Sequence, residues 1–174
     1  MAKKLLGGAS KEDPTWLAEV TYRFAFDAVY RPLPPDANAA RSRLESGNRA
    51  FAALLDRMTT SPPAKLNIAV DPHDVGLRRS AAPKQQPFAA VVGCADARVP
   101  VELIFSEGPN DLFVVRVAGN GLGDDVTASL SYAVDHLKDS LRTIVVLGHS
   151  GCGAVSAAVD VYLELLSQQN TCRS

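Results

Sequence analysis

The sequence has little of what marks membrane, secreted or nucleic-acid-binding proteins. Its 174 residues include 18 basic and 19 acidic side chains, a formal net charge of −1, so no positive excess indicates binding to nucleic acid or an anionic membrane. No apolar run approaches the roughly 20 residues of a membrane-spanning helix, and the start of the chain is too briefly apolar for a secretory signal. These absences predict a cytoplasmic protein with neither nucleic acid nor membrane as a partner.

Cysteine is also scarce. The chain has three, Cys94, Cys152 and Cys172, and an odd number without a secretory signal argues against a disulfide framework. We expect Cys172, close to the end of the sequence, to be a free thiol. The other two cysteines each follow an apolar segment, which makes them candidates for metal ligands.

What the chain does have is a hydrophobic content of 47%, enough for one domain with a core of its own. Three short apolar runs, at 88–93, 112–117 and 143–147, are typical of strands buried on both faces of a parallel sheet. Amphipathic helices are predicted at 125–138 and after Gly153. We therefore expect an α/β fold: a mainly parallel sheet of about four strands flanked by helices.

The first third of the chain is predicted to be helical. Apolar residues recur at helical spacing over residues 16–30, and a second helix is expected to begin after Asp36. Residues 59–87 are rich in proline and polar side chains, which predicts a long loop. The predicted organisation is an N-terminal helical arm over residues 1–35 and an α/β domain over residues 36–174, forming a single domain overall.

Two of the three predicted strands end in candidate metal ligands. Cys94 follows the first strand, and His149 follows the third, with Cys152 three residues further on. Functional groups of open parallel sheets gather beyond the carboxyl ends of the strands. Neighbouring strands lie about 4.8 Å apart, so these side chains can meet if the two strands pair. Two thiolates and one imidazole suit tetrahedral Zn²⁺, so we predict one zinc ion per α/β domain.

The carboxylate of Asp96, close in sequence to the predicted ligand Cys94, is compatible with two kinds of zinc site. Three protein ligands are typical of catalytic zinc sites, whereas structural sites normally have four. Asp96 either binds the zinc and closes the site, or pairs with Arg98 and accepts a hydrogen bond from water on the zinc. A guanidinium can bind a carboxylate through two parallel hydrogen bonds, which would keep Asp96 ionised and oriented.

The two motifs Cys94-x-Asp96-x-Arg98 and His149-x-x-Cys152 together resemble those of the β-class carbonic anhydrases. Three further segments resemble the family's helix before the sheet, its second strand with the following turn, and its crossover helix: residues 44–49, 113–120 and 129–134. The resemblance covers most of the chain, and as a set the motifs are specific.

This resemblance implies a zinc-dependent lyase that reversibly hydrates carbon dioxide to bicarbonate and a proton, by way of a zinc-bound hydroxide. The ligands would be the two cysteines and the histidine of the motifs, with Asp96 and Arg98 as the catalytic pair. Gln85 sits where the family has a glutamine that reaches the substrate pocket from a dimer partner. Gly153 would offer its backbone to the same pocket.

Two other functions stay open on the sequence alone. The same site could hydrolyse carbon disulfide or carbonyl sulfide, and the chain could be a catalytically inactive, truncated zinc-binding or assembly protein. Family members usually continue well beyond the second motif, so we expect the C-terminal part of the family fold to be missing here. A sheet edge left open by that loss would promote self-association, which predicts a homodimer or tetramer.

Overall fold

The computed structural model describes residues 18–25, 32–56, 64–76 and 82–171. Its strands are β1 (Ala18–Phe24), β2 (Ala64–Val70), β3 (Ala89–Gly93), β4 (Leu112–Arg116) and β5 (Thr143–Leu147). Its α-helices are α1 (Ala37–Asp56), α2 (Val101–Ile104), α3 (Asp124–His136) and α4 (Gly153–Thr171), and a 3₁₀ turn covers Ala118–Asn120.

The central sheet has three parallel strands in the order β4-β3-β5. Gly93, the last residue of β3, pairs with Arg116 of β4 on one side and with Leu147 of β5 on the other. The carboxyl ends of all three strands therefore lie along one edge. All five residues of β3 are buried, as expected for a short run of alanine, valine and glycine in the middle of a parallel sheet. The predicted α/β fold with a parallel sheet flanked by helices is confirmed.

Helix α1 packs against this sheet through its apolar face. Ala40 and Leu44 join the buried core around Phe88 and Phe105. Gly47, which weakens a helix by about 1 kcal/mol relative to alanine, has a packing role here. A Cβ atom at this position would lie 1.7 Å from the carbonyl oxygen of Phe105, so only glycine allows this close approach.

The helix predicted over residues 16–30 is wrong where the structure describes it. Residues 18–24 form strand β1, which pairs in parallel with β2, and the adjoining residues 16–17 and 26–30 lie outside the described ranges. Valine, threonine, tyrosine and phenylalanine are frequent in this segment and favour strands. The helical spacing was the weaker signal, since only two of the helically spaced apolar residues, Val20 and Phe24, fall within the strand.

The loop predicted over residues 59–87 is also wrong in part, because β2 occupies 64–70. Apolar residues alternate with polar or small ones along the strand, and Ile68 and Val70 are both 2% exposed. The chain thus has a two-stranded sheet in addition to the central one. The predicted division at residue 35 stays a prediction.

A network of charged side chains closes the amino end of the central sheet. Glu107 is 1% exposed, and its two carboxylate oxygens accept hydrogen bonds from Nε and Nη2 of Arg43, at 3.0 and 2.6 Å. Nη2 also donates to Asp111, at 2.7 Å. The guanidinium carbon of Arg43 lies 4.2 Å from the centre of the Phe88 ring. In the described part of the chain, no helix is long and apolar enough to cross a membrane.

Candidate metal centre

Three soft donor atoms come together at the carboxyl edge of the central sheet. Cys94 follows β3, His149 follows β5, and Cys152 precedes α4; one ligand atom from each lies within 4.8 Å of the other two. The two Sγ atoms are 3.8 Å apart. The strands that carry Cys94 and His149 are paired neighbours. Two thiolates and an imidazole in this arrangement fit a tetrahedral Zn²⁺ ion.

The loop between β5 and α4 turns tightly because of its glycines. Gly151 has a φ of +64°, a left-handed conformation that favours glycine, and the turn carries Cys152 back towards His149. A Cβ atom at Gly148 or Gly153 would meet nothing within 4 Å. The space next to the α-carbons of Gly148 and Gly153 is therefore open.

The imidazole of His149 is held in the tautomer that a metal ligand needs. Its Nδ1 lies 3.1 Å from the carbonyl oxygen of Ser150, and because a carbonyl only accepts, Nδ1 carries the hydrogen. Nε2 is buried and has no hydrogen-bond partner among the described residues. Interaction with the Cys94 thiolate raises the pKa of His149. A buried nitrogen without a partner, beside two sulfur atoms, is what a metal site requires.

Cys94 is prepared to be a thiolate. Its side chain is largely buried, and its Sγ accepts hydrogen bonds from the backbone N–H groups of Asp96, at 3.4 Å, and Gly119, at 3.3 Å. These two bonds, followed by the interaction with His149, lower the pKa of the Cys94 thiol to about 6. The deprotonated form, which binds metals, therefore predominates at neutral pH.

Asp96 and Arg98 form a close ion pair beside the donor group. Nη2 of Arg98 donates to Oδ2 of Asp96 at 2.7 Å, while Nε and the backbone N–H both donate to Oδ1, at 3.0 and 2.9 Å. The side-chain hydrogen bonds from Arg98 are the main reason that the pKa of Asp96 lies well below its usual range. Oδ2 of Asp96 is 3.9 Å from Nε2 of His149. An ionised hydrogen-bond acceptor thus borders the three donors.

Arg98 also connects the two halves of the site, since its Nη2 donates to the carbonyl oxygen of Gly151 at 3.3 Å. One guanidinium therefore contacts both the loop after β3 and the loop after β5. Of the two kinds of zinc site left open by the sequence, this geometry supports the one in which Asp96 pairs with Arg98.

Comparison with known proteins shows which proteins the chain resembles. The family model described as carbonic anhydrase matches residues 89–172. Carbonic anhydrase 2 of Mycobacterium tuberculosis (strain CDC 1551 / Oshkosh) is 43% identical over 127 residues, which cover 72% of this chain and 55% of that protein. A carbonic anhydrase of Mycolicibacterium smegmatis is 49% identical over 82 residues, covering 47% of this chain and 39% of that protein.

The chain is similar to carbonic anhydrases over these matched segments. It spans about half the length or less of the relatives it matches here. Among solved structures, one of two tetrameric β-carbonic anhydrases from Sordaria macrospora aligns with a TM-score of 0.43 and 30% identity, over 70% of this chain and 54% of that one. The group of Cys94, His149 and Cys152 is able to hold a metal ion.

Three residues that border the candidate metal ligands were not predicted as part of the site. Gly119 donates its N–H to Cys94, and Asn120 donates from Nδ2 to the carbonyl oxygen of Leu147, at 3.0 Å. Arg116 donates to the backbone around Cys94. All three lie at or just after the carboxyl end of β4. The sequence signal that could have identified these residues is their place after a predicted strand, since β4 ends along the same edge of the sheet as β3 and β5.

The two predicted pocket residues lie in different parts of the chain. Gly153 is the first residue of α4, directly after Cys152. Gln85 is exposed and precedes β3, at the opposite end of that strand from Cys94, so it does not join the site of its own chain. Its delivery to the pocket of a second copy stays a prediction. Cys172 lies outside the described residues.

Proposed function

We propose that this protein catalyses the reversible hydration of carbon dioxide to bicarbonate and a proton, with one zinc ion held by Cys94, His149 and Cys152. The observation that carries the proposal is the grouping of these three donors within 4.8 Å of one another, beside the Asp96 carboxylate that Arg98 keeps ionised. Relatives that are 43% and 49% identical are named carbonic anhydrases, which supports the same reaction here.

Zinc at such a site supplies a Lewis acid that lowers the pKa of a water molecule from 15.7 towards ~7. The residues of the chain supply orientation. Asp96, held by Arg98 through three hydrogen bonds, accepts a hydrogen bond from the attacking oxygen and directs a lone pair of that oxygen towards carbon dioxide. The open space beside Gly148 and Gly153 gives a small linear substrate room to approach.

The pocket is completed by a second copy of the chain, in this proposal. Gln85 of one copy extends into the site of the other, where its amide donates to a substrate oxygen, and the backbone of Gly153 lines the same space. The exposure of Gln85 leaves it available for this contact. Gln85→Ala is expected to raise the KM for carbon dioxide in the dimer without changing the zinc content.

Self-association into a homodimer or tetramer is supported by the surface of α4. Exposed apolar side chains cover much of this helix, including Val159, Val161 and Tyr162, which are 49%, 56% and 61% exposed. An apolar helix face is normally buried against another element. The outer face of β5 adds Ile144 and Val146, which are 46% and 69% exposed. Light scattering of the purified chain is expected to give at least twice the monomer mass.

The test is an assay of carbon dioxide hydration with a pH indicator, on the full chain loaded with zinc. The wild type is expected to exceed the rate without protein, and Asp96→Asn to lower kcat by roughly 10²-fold without loss of zinc. Asp135→Asn removes an exposed carboxylate on α3, away from the site, and should keep full activity. Zinc near one per chain with no hydration above the blank would refute the proposal.

The same preparation separates the two other functions. Release of hydrogen sulfide from carbonyl sulfide or carbon disulfide, without carbon dioxide hydration, would identify a hydrolase. Zinc binding with none of these reactions would identify a metal-binding or assembly protein. The pairing of Asp96 with Arg98 favours an enzyme, because a structural zinc site has no use for an oriented carboxylate next to its ligands. The cytoplasmic location stays a prediction.

A further inference from the structure

Arg116, the last residue of β4, reaches across the edge of the sheet to the backbone that carries two site residues. Its Nε donates to the carbonyl oxygen of Cys94 at 3.1 Å, and its Nη2 donates to the carbonyl oxygen of Asp96 at 2.6 Å. One guanidinium thus binds the main chain on both sides of Ala95. We infer that Arg116 is a positioning residue, which fixes the metal ligand Cys94 and the carboxylate of Asp96 relative to each other.

The backbone of β4 secures only part of this segment. Val117 donates its N–H to the carbonyl oxygen of Gly93 at 3.0 Å and accepts from the N–H of Ala95 at 3.2 Å. These two bonds extend the strand pairing just past the end of β3. The carbonyl oxygen of Asp96 also accepts from the N–H of Val99, at 3.0 Å. Arg116 is the side chain that binds the carbonyl groups of both Cys94 and Asp96.

The geometry of this short turn sets the position of both site side chains. The N–H of Asp96 donates to Sγ of Cys94 at 3.4 Å, so a rotation of the peptide groups between the two residues would displace the sulfur atom. The same rotation would move the Asp96 carboxylate relative to Nε2 of His149, 3.9 Å away. Arg116 touches neither the sulfur nor the carboxylate, and therefore acts through the backbone.

Lysine cannot replace arginine in this role. A guanidinium is planar and presents several donors at fixed angles, so it can hold two carbonyl groups at a set separation. An ammonium on a flexible stem is a single point of attachment. Arg116→Lys keeps the positive charge near the site while it removes the double attachment, and so separates an effect of geometry from an effect of charge.

Arg142 provides a matched control at the other end of the sheet. It also binds backbone carbonyl groups through its guanidinium: Nε donates to Pro34 and Nη2 donates to Asp139, both at 3.0 Å. It lies directly before β5, at the end of the strand remote from His149. Arg142→Lys removes the same kind of attachment without touching the candidate metal centre.

The experiment measures metal affinity and the geometry of the metal ligands. The inference rests on the metal site of the proposed function, but it does not depend on whether the protein hydrates carbon dioxide. The full-length wild type, Arg116→Lys and Arg142→Lys are stripped of metal and titrated with Co²⁺ in competition with a chelator. Absorption bands of thiolate-to-cobalt charge transfer and of the cobalt ion report the sulfur ligands and their geometry. Arg116→Gln is a second variant, in case Arg116→Lys does not fold, and melting curves verify the fold of each.

Arg116→Lys is expected to bind Co²⁺ roughly 10-fold more weakly than the wild type, in the range for residues that orient metal ligands, with shifted cobalt bands. Arg142→Lys is expected to melt at a lower temperature with unchanged affinity and bands. Wild-type affinity and bands in a folded Arg116 variant, or equal changes in the Arg142 variant, would overturn the inference. A wild type with thiolate bands but no carbon dioxide hydration would refute the proposed function and leave the positioning role standing.

Discussion

The two ends of the central sheet contain similar residue types but differ in how fully their polar atoms are paired. At the amino end, both carboxylate oxygens of the buried Glu107 bind Arg43, which also binds Asp111. At the carboxyl end, Nε2 of His149 is buried without a hydrogen-bond partner among the described residues, next to two thiols. In the first arrangement, protein groups pair both oxygens of the buried carboxylate, whereas the second needs an ion to complete it.

This difference separates stability from function within one small sheet. Removal of one member of a compensated buried network leaves an unpaired charge, which destabilises the fold. Removal of a donor from the other end takes away a ligand but leaves no charge without its partner. Substitutions at the two ends should therefore affect different measurements.

The largest effect is expected from Cys152→Ser. A serine hydroxyl does not replace a thiolate as a zinc ligand, so zinc affinity should fall by more than the roughly 10- to 100-fold loss that follows from changes outside the ligand set. Carbon dioxide hydration should fall to the rate of the blank. Zinc content after dialysis and the indicator assay measure the two losses.

The control for this variant is Cys172→Ser, which makes the same chemical change outside both ligand motifs. It should retain zinc and activity, and the metal-free Cys152→Ser chain should melt close to the metal-free wild type. Retention of both zinc and activity by Cys152→Ser would show that the ligand assignment is wrong.

At the amino end, Glu107→Gln is expected to lower the free energy of unfolding by about 3 kcal/mol, as for other buried ion pairs that lose one partner. Zinc bound per folded chain should not change. Urea unfolding of the metal-free protein measures the loss of stability. Zinc analysis of the folded protein measures metal binding.

Glu45→Gln is the matched exposed change. Glu45 pairs with Arg41 at 2.7 Å, and the two side chains are 47% and 78% exposed, so its removal should cost less than about 1 kcal/mol. Equal losses in the two variants, or zinc loss in Glu107→Gln, would contradict the division of roles between the two ends.

Gly47→Ala tests the packing of α1 on the sheet. The new Cβ would meet the Phe105 carbonyl oxygen at 1.7 Å, so the helix must shift, at a cost of roughly 1–3 kcal/mol. Gly123→Ala places a methyl group where nothing lies within 4 Å and should cost no more than about 1 kcal/mol, for the loss of glycine from the N-cap of α3. Thermal melting temperatures of the two variants measure the difference in stability. No difference between them would mean that α1 does not approach Phe105 this closely.

The last effect is a pH dependence of the metal-free protein. The fold lowers the pKa of Cys94 to about 6, compared with about 8.5 for an ordinary thiol. The unfolded chain therefore binds more protons between these values, so this contribution to stability is fully present above about pH 8.5. It is lost as the pH falls through about 6.

The readout is the stability difference between the wild type and Cys94→Ser, measured in urea at several pH values without metal. We expect the difference to shift in favour of the wild type as the pH rises. The raised pKa of His149 acts in the opposite sense, since its contribution is present below its ordinary value of about 6.5 and lost above. The same comparison in a His149→Gln background removes this opposing contribution. A difference that is flat there from pH 6 to about 8.5 would show that Cys94 is not stabilised as a thiolate.

The central sheet could be predicted from the sequence because each strand is a short continuous apolar run, as in β3, where all five residues are buried. The metal donors followed from the same pattern, since Cys94 and His149 come directly after two such runs. Strands β1 and β2 were missed, because they carry polar residues at alternate positions and β1 is mostly exposed. A weak helical spacing led to the wrong prediction of a helix at β1, and a high polar content led to the wrong prediction of a loop at β2.

The residues that support the site could not be predicted in the same way. The bonds from Gly119 and Arg116 to the segment around Cys94 depend on which strand lies beside β3 and in which register. Gly93 pairs with Arg116, and a shift of one residue would turn the Arg116 side chain to the other face of the sheet. The sequence pattern identifies strands but does not specify that alignment.

The most direct test of the account is X-ray absorption at the zinc edge on the full chain loaded with one zinc ion. We expect the zinc ion to have two sulfur ligands at about 2.3 Å and one imidazole nitrogen at about 2.0–2.1 Å, and to lose one sulfur ligand in Cys152→Ser. A wild-type shell without sulfur, or with four sulfur atoms, would contradict the assignment of Cys94, His149 and Cys152 as the metal centre.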